Sequence, residues 1–477
     1  MNSIGRSLQQ LANRSQSLIK RTTDNHVRLA VTGLSGAGKT AFITGLVNQL
    51  LSAGKHQVLP LWQVSRDGRL YGVKRTLQPD MTIASFDYDA AMTALCGSKP
   101  HWPASTRNIS ELRLAIKYQP SKGLRARLTD HATLFLDIVD YPGEWLLDLP
   151  MLRLDYAKWS QLQYGRADNL SKSDYYQPFI ASCSALNLTE PADEQVLKNI
   201  AKQYQMLLND TVHGHGFYHA QPGRMLLPGE LADTPILAFF PLFGLQGIQL
   251  EQLENSNKTS YYQVLKKRYL SYVSQVVKPF YRDYFAKFDR QVVLVDCFTP
   301  LNRGKPQFDD MKSAIDDIMA SFHFGQSNLL RRLFAPRIDK LLFAASKVDH
   351  VTRDQQSNVL SLLSQMVDQS QQHAQFEGCD VEVMAISAIK ATTHGMVQQD
   401  GKQIEVVRGR ALNGQKILTL FPGEVPKRLP QADFWDRQGF EFINFAPPQL
   451  DAGSQERHFE HIRLDHLLQY LLGDKLA

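Results

Sequence analysis

Val27-Arg-Leu-Ala-Val-Thr-Gly33-Leu-Ser-Gly-Ala-Gly38-Lys39-Thr40 lies near the start of the chain, and its two halves read differently. Val27 to Thr32 is a short, largely apolar and β-branched run, the composition of a buried strand. Gly33 to Thr40 matches GxxxxGK[ST], and the run Ala41 to Leu51 that follows has helical character. A strand, a glycine-rich turn and a helix in that order make a cradle for phosphate. The turn aims backbone N–H groups inward, and the helix adds its positive N-terminal end. The expected phosphate-binding residues are Ser35, Gly36, Ala37, Gly38, Lys39, Thr40 and Ala41. Lys39 reaches the β- and γ-phosphates, and Thr40 is the expected ligand of Mg2+. The pattern alone occurs by chance; the strand before it and the helix after it are what make it specific.

Outward from this loop, the chain alternates between strand-like and helix-like runs. Its 477 residues exceed one minimal domain, so insertions or appended domains are expected. Ile109 to Tyr118 alternates and suits a sheet-edge strand; Thr133 to Asp140 is a second strand, and the two should form an antiparallel hairpin. Apolar strand-like runs recur at Gln291 to Asp296, Lys340 to Ala345 and Val381 to Ile386, with helices at Asp309 to Phe322 and Gln355 to Gln371. The expected organisation is an amphipathic helix over residues 1–26, then a first core part over 27–143 that carries an extended insertion at about 52–104. A helical insertion over 144–290 follows, then a second core part over 291–395. A small β insertion over 396–450, with strands at Gln403–Val407, Lys416–Phe421 and Phe440–Phe445, precedes a closing helix within 451–477, at His458 to Leu472. The expected fold class is α/β, a P-loop NTPase core with a mixed, mostly parallel sheet, a helical insertion and a small β insertion; its type depends on the motifs at the strand ends.

Composition narrows the function classes. With 43% hydrophobic and 21% charged residues the chain is globular rather than disordered. A net charge of +6 is small for this length and gives no reason to expect nucleic acid as a partner. Cys96, Cys183, Cys297 and Cys379 form no CxxC pair, which fits a reducing cytoplasm. No run approaches the roughly 20 apolar residues needed to cross a bilayer; Ile236 to Phe243 is short and holds Pro241. Met1 to Thr23 has no acidic residue and sets Ile4, Leu8, Leu11, Leu18 and Ile19 beside Arg6, Arg14, Lys20 and Arg21. Two readings stand: a surface helix packed on its own domain, or a peripheral contact with an anionic inner membrane or a membrane-protein partner. It lacks the continuous apolar segment of a secretory signal.

Asp140-Tyr-Pro-Gly143 ends an apolar strand, where a carboxylate can hold magnesium through water and the Gly143 N–H can meet a γ-phosphate. Asp-x-x-Gly alone is an ordinary turn; downstream of the phosphate loop it becomes a candidate. Asp137 is an alternative acid, without the glycine turn. Ser346-Lys347-Val348-Asp349 also ends a strand, and Asp349 can accept from N1–H and N2–H of guanine while Lys347 lies along the base. The plainer reading is a capped helix start. Ser387-Ala388-Ile389-Lys390 follows another strand and can offer a backbone N–H to the guanine carbonyl. Thr106, with Ser105 as alternative, is the expected magnesium-sensing threonine ahead of the Ile109 strand. Arg107 is either a charge supplied in cis or an exposed positioning arginine.

In this order the four segments resemble the G1, G3, G4 and G5 motifs of the translation-factor and Ras-like class of GTPases. With Asn25 to Ser35, Gly38 to Thr44, Asp137-Ile-Val-Asp-Tyr-Pro-Gly-Glu-Trp145, Asp296-Cys-Phe-Thr-Pro-Leu-Asn302 and Phe343-Ala-Ala-Ser-Lys-Val-Asp-His350, the chain is similar to the YcjX-like family of bacterial proteins over the whole length. That resemblance implies a P-loop NTPase associated with stress responses. It implies GTP and GDP as ligands, Mg2+ as cofactor held by Thr40, Thr106 and Asp140, and Lys39, Thr106 and Gly143 as catalytic contacts. Ser346 departs from the class by replacing the Asn of NKxD, and Glu144 by replacing the Gln that positions water.

Other features have plainer readings. His213, His215 and His219 have a metal-like spacing with no carboxylate or cysteine pattern to complete a site, so they read as loop histidines. Lys266 to Lys287 is basic and aromatic, read as a buried aromatic face with a solvated basic one, or as a partner or membrane surface. Three functions are carried forward: slow GTP hydrolysis in a nucleotide switch, ATP hydrolysis on the same core, and a nucleotide-stabilised scaffold.

Overall fold

The computed structural model describes residues 26–54, 58–122, 129–245, 247–321, 338–412, 416–436, 441–450 and 458–477. The expected N-terminal helix therefore lies outside the described residues. His26–Gly33 (β1) is the hub of the main sheet. The other strands are Leu70–Thr76 (β2), Ala84–Ser85 (β3), Ser110–Tyr118 (β4), Ala132–Asp140 (β5), Arg290–Val295 (β6), Lys340–Ala345 (β7) and Asp380–Ala385 (β8). Their lateral order is β2-β4-β5-β1-β6-β7-β8, with β3 beside β4. From β5 to β8 all neighbours run parallel, whereas β4 runs antiparallel to both β5 and β2. The sheet is mixed and mostly parallel, and the fold is α/β, as the sequence reading expected.

Alternation along each strand divides the core into two layers. Val27, Leu29 and Val31 of β1 face one side with Leu342, Ala344 and Met384. There they meet Phe42, Leu46 and Val47 of the Lys39–Ser52 helix and the leucines of the Leu464–Leu472 helix. Ala30, Val139, Val293, Val295, Leu341 and Phe343 face the other side. That layer holds the Lys305–Ser321 and Gln356–Met366 helices and the helices between β5 and β6. Among the latter, Tyr156, Trp159, Phe179, Tyr204, Phe239, Tyr262, Tyr269 and Tyr272 form a buried aromatic cluster. Its hydroxyls are used: Tyr156 donates to Phe240 O at 2.8 Å and Tyr269 to Leu154 O at 2.9 Å. In the Tyr261–Tyr272 helix the tyrosines point inward while Lys267 is exposed.

Several element-level expectations are corrected. β4 is not an edge: β2, hidden within the expected 52–104 insertion, covers its outer side from Thr76 opposite Arg113 to Leu70 opposite Tyr118. The small three-stranded sheet is Thr392–Gln399 (β9), Lys402–Arg410 (β10) and Ile417–Leu420 (β11), in the order β11-β10-β9. β9 was unforeseen, and at Phe440 to Phe445 the described residues hold only a bridge between Phe445 and Ala411. The last helix begins at Leu464 rather than His458, because Arg463 has φ 62°, outside the helical region. Ile462 instead bridges to Ser387.

Candidate functional site

Parallel strands present their carboxyl ends on one edge of a sheet, and the connections there carry the candidate residues. β1 leads into the Gly33–Thr40 loop, β5 into Asp140 to Gly143, β7 into Ser346 to Asp349, and β8 into Ser387 to Lys390. Gly36 and Gly38 have φ of 81° and 82°, which turns the loop back on itself. Lys39 Nζ donates to Gly33 O at 2.9 Å and so lies within the loop. Ala37 is buried, Ser35, Lys39, Thr40 and Ala41 are half-buried, and Gly36 and Gly38 are exposed.

Thr40, Thr106 and Asp140, from three separate segments, converge beside Lys39. The hydroxyls of Thr40 and Thr106 are 3.3 Å apart, Thr106 Oγ1 donates to Asp140 Oδ2 at 2.5 Å, and Thr40 Oγ1 donates to Ala104 O at 3.1 Å. Ser105 and Arg107 are exposed. Asp140 Oδ1 is buried without a partner among the described residues. Burial pushes the Asp140 carboxyl up to about 6, against the pull of Lys39 and the Thr106 hydrogen bond. Hard oxygen donors with one orphaned carboxylate oxygen suit Mg2+, which is typically held by one or two carboxylates together with phosphates and water. Asp137, the alternative acid, is taken up elsewhere: Arg113 binds it through Nε at 2.6 Å and Nη2 at 2.9 Å, and His26 adds a third contact. Gly143 meets the loop directly. A Cβ there would lie 1.9 Å from Gly33 O, so no larger residue fits.

The expected base-reading segments carry contacts that the sequence did not foresee. Lys347 has φ 61°, and its Nζ donates to Asp296 Oδ2 at 2.7 Å and to Asn444 Oδ1 at 3.1 Å. Asp296 directly follows β6 and also accepts from Phe298 N, Thr299 N and Thr299 Oγ1. Burial opposes its charge, but Lys347 and Thr299 prevail and hold it below the usual carboxylate range. Asp349 is fully buried. Its Oδ2 already accepts from Ala391 N at 2.8 Å and Thr392 N at 3.2 Å, and its Oδ1 has no partner among the described residues. The Ser387 N–H is spent on Ile462 O at 3.1 Å, which leaves the next two residues, Ala388 and Ile389, for a carbonyl. Ala388 and Ile389 pack on Gly45 of the Lys39–Ser52 helix. No role of its own was expected of Asp296 from the sequence. An acid directly after an apolar strand, three residues before Thr299, was the signal available for it; Asn444 had none.

The three histidines separate. His213 is exposed and His215 half-buried, whereas His219 is buried between Asp310 and Asp317. Among the described residues no group of His, Cys, Asp and Glu is arranged to hold a metal by itself, and no helix is long and apolar enough to cross a membrane.

The family model described as "YcjX-like family, DUF463" matches residues 27–476. A protein of Shewanella oneidensis named Ras-like GTPase YcjX is 64% identical over 479 residues, covering 98% of this chain and 99% of that one. A protein of Escherichia coli with the same name is 44% identical over 469 residues, covering 98% of this chain and 100% of that one. The chain belongs to the YcjX-like family.

Proposed function

We propose that this protein binds GTP with magnesium and hydrolyses it slowly to GDP and phosphate. The observation that carries the reading is the meeting of Thr40, Thr106 and Asp140 beside Lys39, at the end of the sheet where the Gly33–Thr40 loop lies. Relatives named Ras-like GTPase support it. In this reading the N–H groups of residues 35–41 surround the phosphates and Lys39 sets a point charge against the terminal ones. Thr40 and Thr106 offer hydroxyls to magnesium, and Asp140 holds it through water; the ion, when bound, neutralises charge on the β- and γ-phosphates. The Gly143 N–H meets the γ-phosphate, with Lys347 and Asp349 on the base. Glu144, where ionised, can only accept from water and repels phosphate, so it adds little. Turnover near or below about 10⁻² per second follows for a site without an arginine in trans. Use as a stress-associated switch rests on the family resemblance, and a cytoplasmic location on four cysteines that form no CxxC pair.

Lys39→Ala in the folded protein should weaken labelled-GTP binding by about 100-fold or more, the scale of a lost charge-assisted contact to phosphate. Near wild-type affinity would remove the phosphate-loop assignment. ATP hydrolysis on the same core is favoured by one observation, the burial of Asp349 with Oδ2 already engaged. Competition of GTP and ATP for the labelled nucleotide decides between them.

A further inference from the structure

The stretch from Gln221 to Glu230, within the helices between β5 and β6, grips the turn that follows Asp140-Tyr-Pro-Gly143. Gln221 Nε2 donates to Leu147 O, and Gly223 N donates to Asp148 Oδ1 at 2.7 Å. A Cβ on Gly223 would lie 1.9 Å from Glu144 O, so the two backbones touch. Trp145 Nε1 donates to Leu227 O at 3.3 Å. Arg224 closes the grip: its guanidinium carbon sits 3.3 Å from the centre of the Trp145 ring, and only 8% of the residue is exposed. The same stretch reaches the other flank of the site, where a Cβ on Gly229 would stand 3.1 Å from Asn108 Oδ1, two residues beyond Thr106.

We infer that Arg224 is a positioning residue for nucleotide hydrolysis, fixing through Trp145 the place of Gly143 and Glu144 against the phosphate loop. The inference rests on the GTP-hydrolysis reading. Each link is a contact. Arg224 covers the Trp145 ring, Trp145 is two residues from Gly143, and Gly143 is in contact with Gly33 O. A cation over an indole face is a directional attraction that strengthens where water is excluded, and Trp145 is 4% exposed. The Arg224 partner Glu230 is 3.4 Å away on the solvent side, with 69% of its side chain exposed, so the stack rather than the ion pair fixes the guanidinium. A turn that must place an N–H against a γ-phosphate loses rate when displaced by about 1 Å, while ground-state nucleotide binding by the loop is untouched.

The test uses the full chain with wild type, Arg224→Ala, Arg224→Lys and Trp145→Leu. Labelled GDP gives affinity, GTP turnover gives kcat and KM, and tryptophan emission is followed as GDP is exchanged for a non-hydrolysable GTP analogue. Arg224→Ala should lower kcat about tenfold or more, with KM and GDP affinity within about threefold of wild type. It should also abolish an emission change that Trp145→Leu likewise removes. Arg224→Lys, which keeps a cation over the ring, should recover part of kcat. If Arg224→Ala does not fold, Trp145→Leu, which retains apolar bulk, should show the same kcat loss. A folded Arg224→Ala with kcat within about twofold of wild type overturns the inference, as does a proportional fall in kcat and GDP affinity without rescue by lysine. Wild type that binds no GTP, or binds it without turnover, overturns the functional reading beneath it, and is told apart by the wild-type measurements alone.

Discussion

Asp140 is 2% exposed, and one of its carboxylate oxygens has no partner among the described residues. A buried, half-satisfied carboxylate costs folding free energy that a neutral amide of the same shape does not. Asp140→Asn should therefore raise the thermal midpoint of the nucleotide-free protein by roughly 1–3 °C. The same change should weaken magnesium-dependent nucleotide binding about tenfold or more, because the amide attracts metal-bound water less strongly. Calorimetric melting and titration with and without Mg2+ check both halves; a lowered midpoint would mean that Asp140 is structural. At this scale the sequence was legible where chemistry is contiguous. Lys39, Thr40, Asp140 and Gly143 follow from short patterns at strand ends. Asp296 and Asn444, the partners of Lys347, come from residues 51 and 97 positions away, and no local spacing encodes them. The tie between Asp349 and residues 391 and 392 was hidden for the same reason.

The Leu464–Leu472 helix shows what a periodic pattern can carry. Leu464, Leu467, Leu468, Leu471 and Leu472 have the i, i+3, i+4, i+7, i+8 spacing of one apolar face, and all are fully buried against the layer of the Lys39–Ser52 helix. Leu468→Ala should cost about 2–4 kcal/mol in urea unfolding, the range for removing a buried leucine from a closed core. A loss below about 1 kcal/mol would show that this helix is only loosely joined to the core. Strands β6 and β7 were legible because a strand covered on both faces is a near-continuous apolar run, and β8 because Val381, Met384 and Ala385 keep an apolar core within a short strand. β4 was mistaken for an edge because alternation reports the two faces of a strand and says nothing of its lateral neighbours. β2 and β9 escaped because Leu70–Thr76 has no fully buried residue and Thr392–Gln399 is largely exposed, and neither shows the apolar period that marks a half-buried strand.

Across the whole molecule, the helices between β5 and β6 are joined to the Lys305–Ser321 helix by charge as well as by apolar contact. His219 Nδ1 lies 2.9 Å from Asp310 Oδ1 and Nε2 lies 3.1 Å from Asp317 Oδ2, so each ring nitrogen faces a carboxylate and the imidazolium form donates to both. Burial opposes that charge, but the two aspartates prevail, and the His219 pKa is raised above its usual 6.5. Asp310 and Asp317 also work against burial and end below their usual 3.8. Arg166 donates to Asp317 at 3.0 Å, Asn169 donates to Asp310 at 3.3 Å, and Arg153 adds a weaker pull on Asp317. The histidine's share of stability is complete below 6.5 and is lost as pH rises through its raised value. The aspartates' share is complete above 3.8 and is lost as pH falls through their lowered values. The joint is therefore strongest between these limits. His219→Gln keeps one donor group but no charge, leaving two carboxylates near each other. The usual cost of breaking a buried pair is about 3–5 kcal/mol; with 40% of the Asp317 side chain exposed, the expected loss at pH 6 is about 2–3 kcal/mol. From pH 6 towards pH 9 the difference between wild type and His219→Gln should shrink, since wild type loses the same charge as pH rises through the raised value. Urea unfolding of both proteins at the two pH values isolates this group, because the buried tyrosines and cysteines titrate alike in each and cancel in the difference. A difference that stays constant or grows from pH 6 to pH 9 would show that His219 holds the joint as a neutral ring.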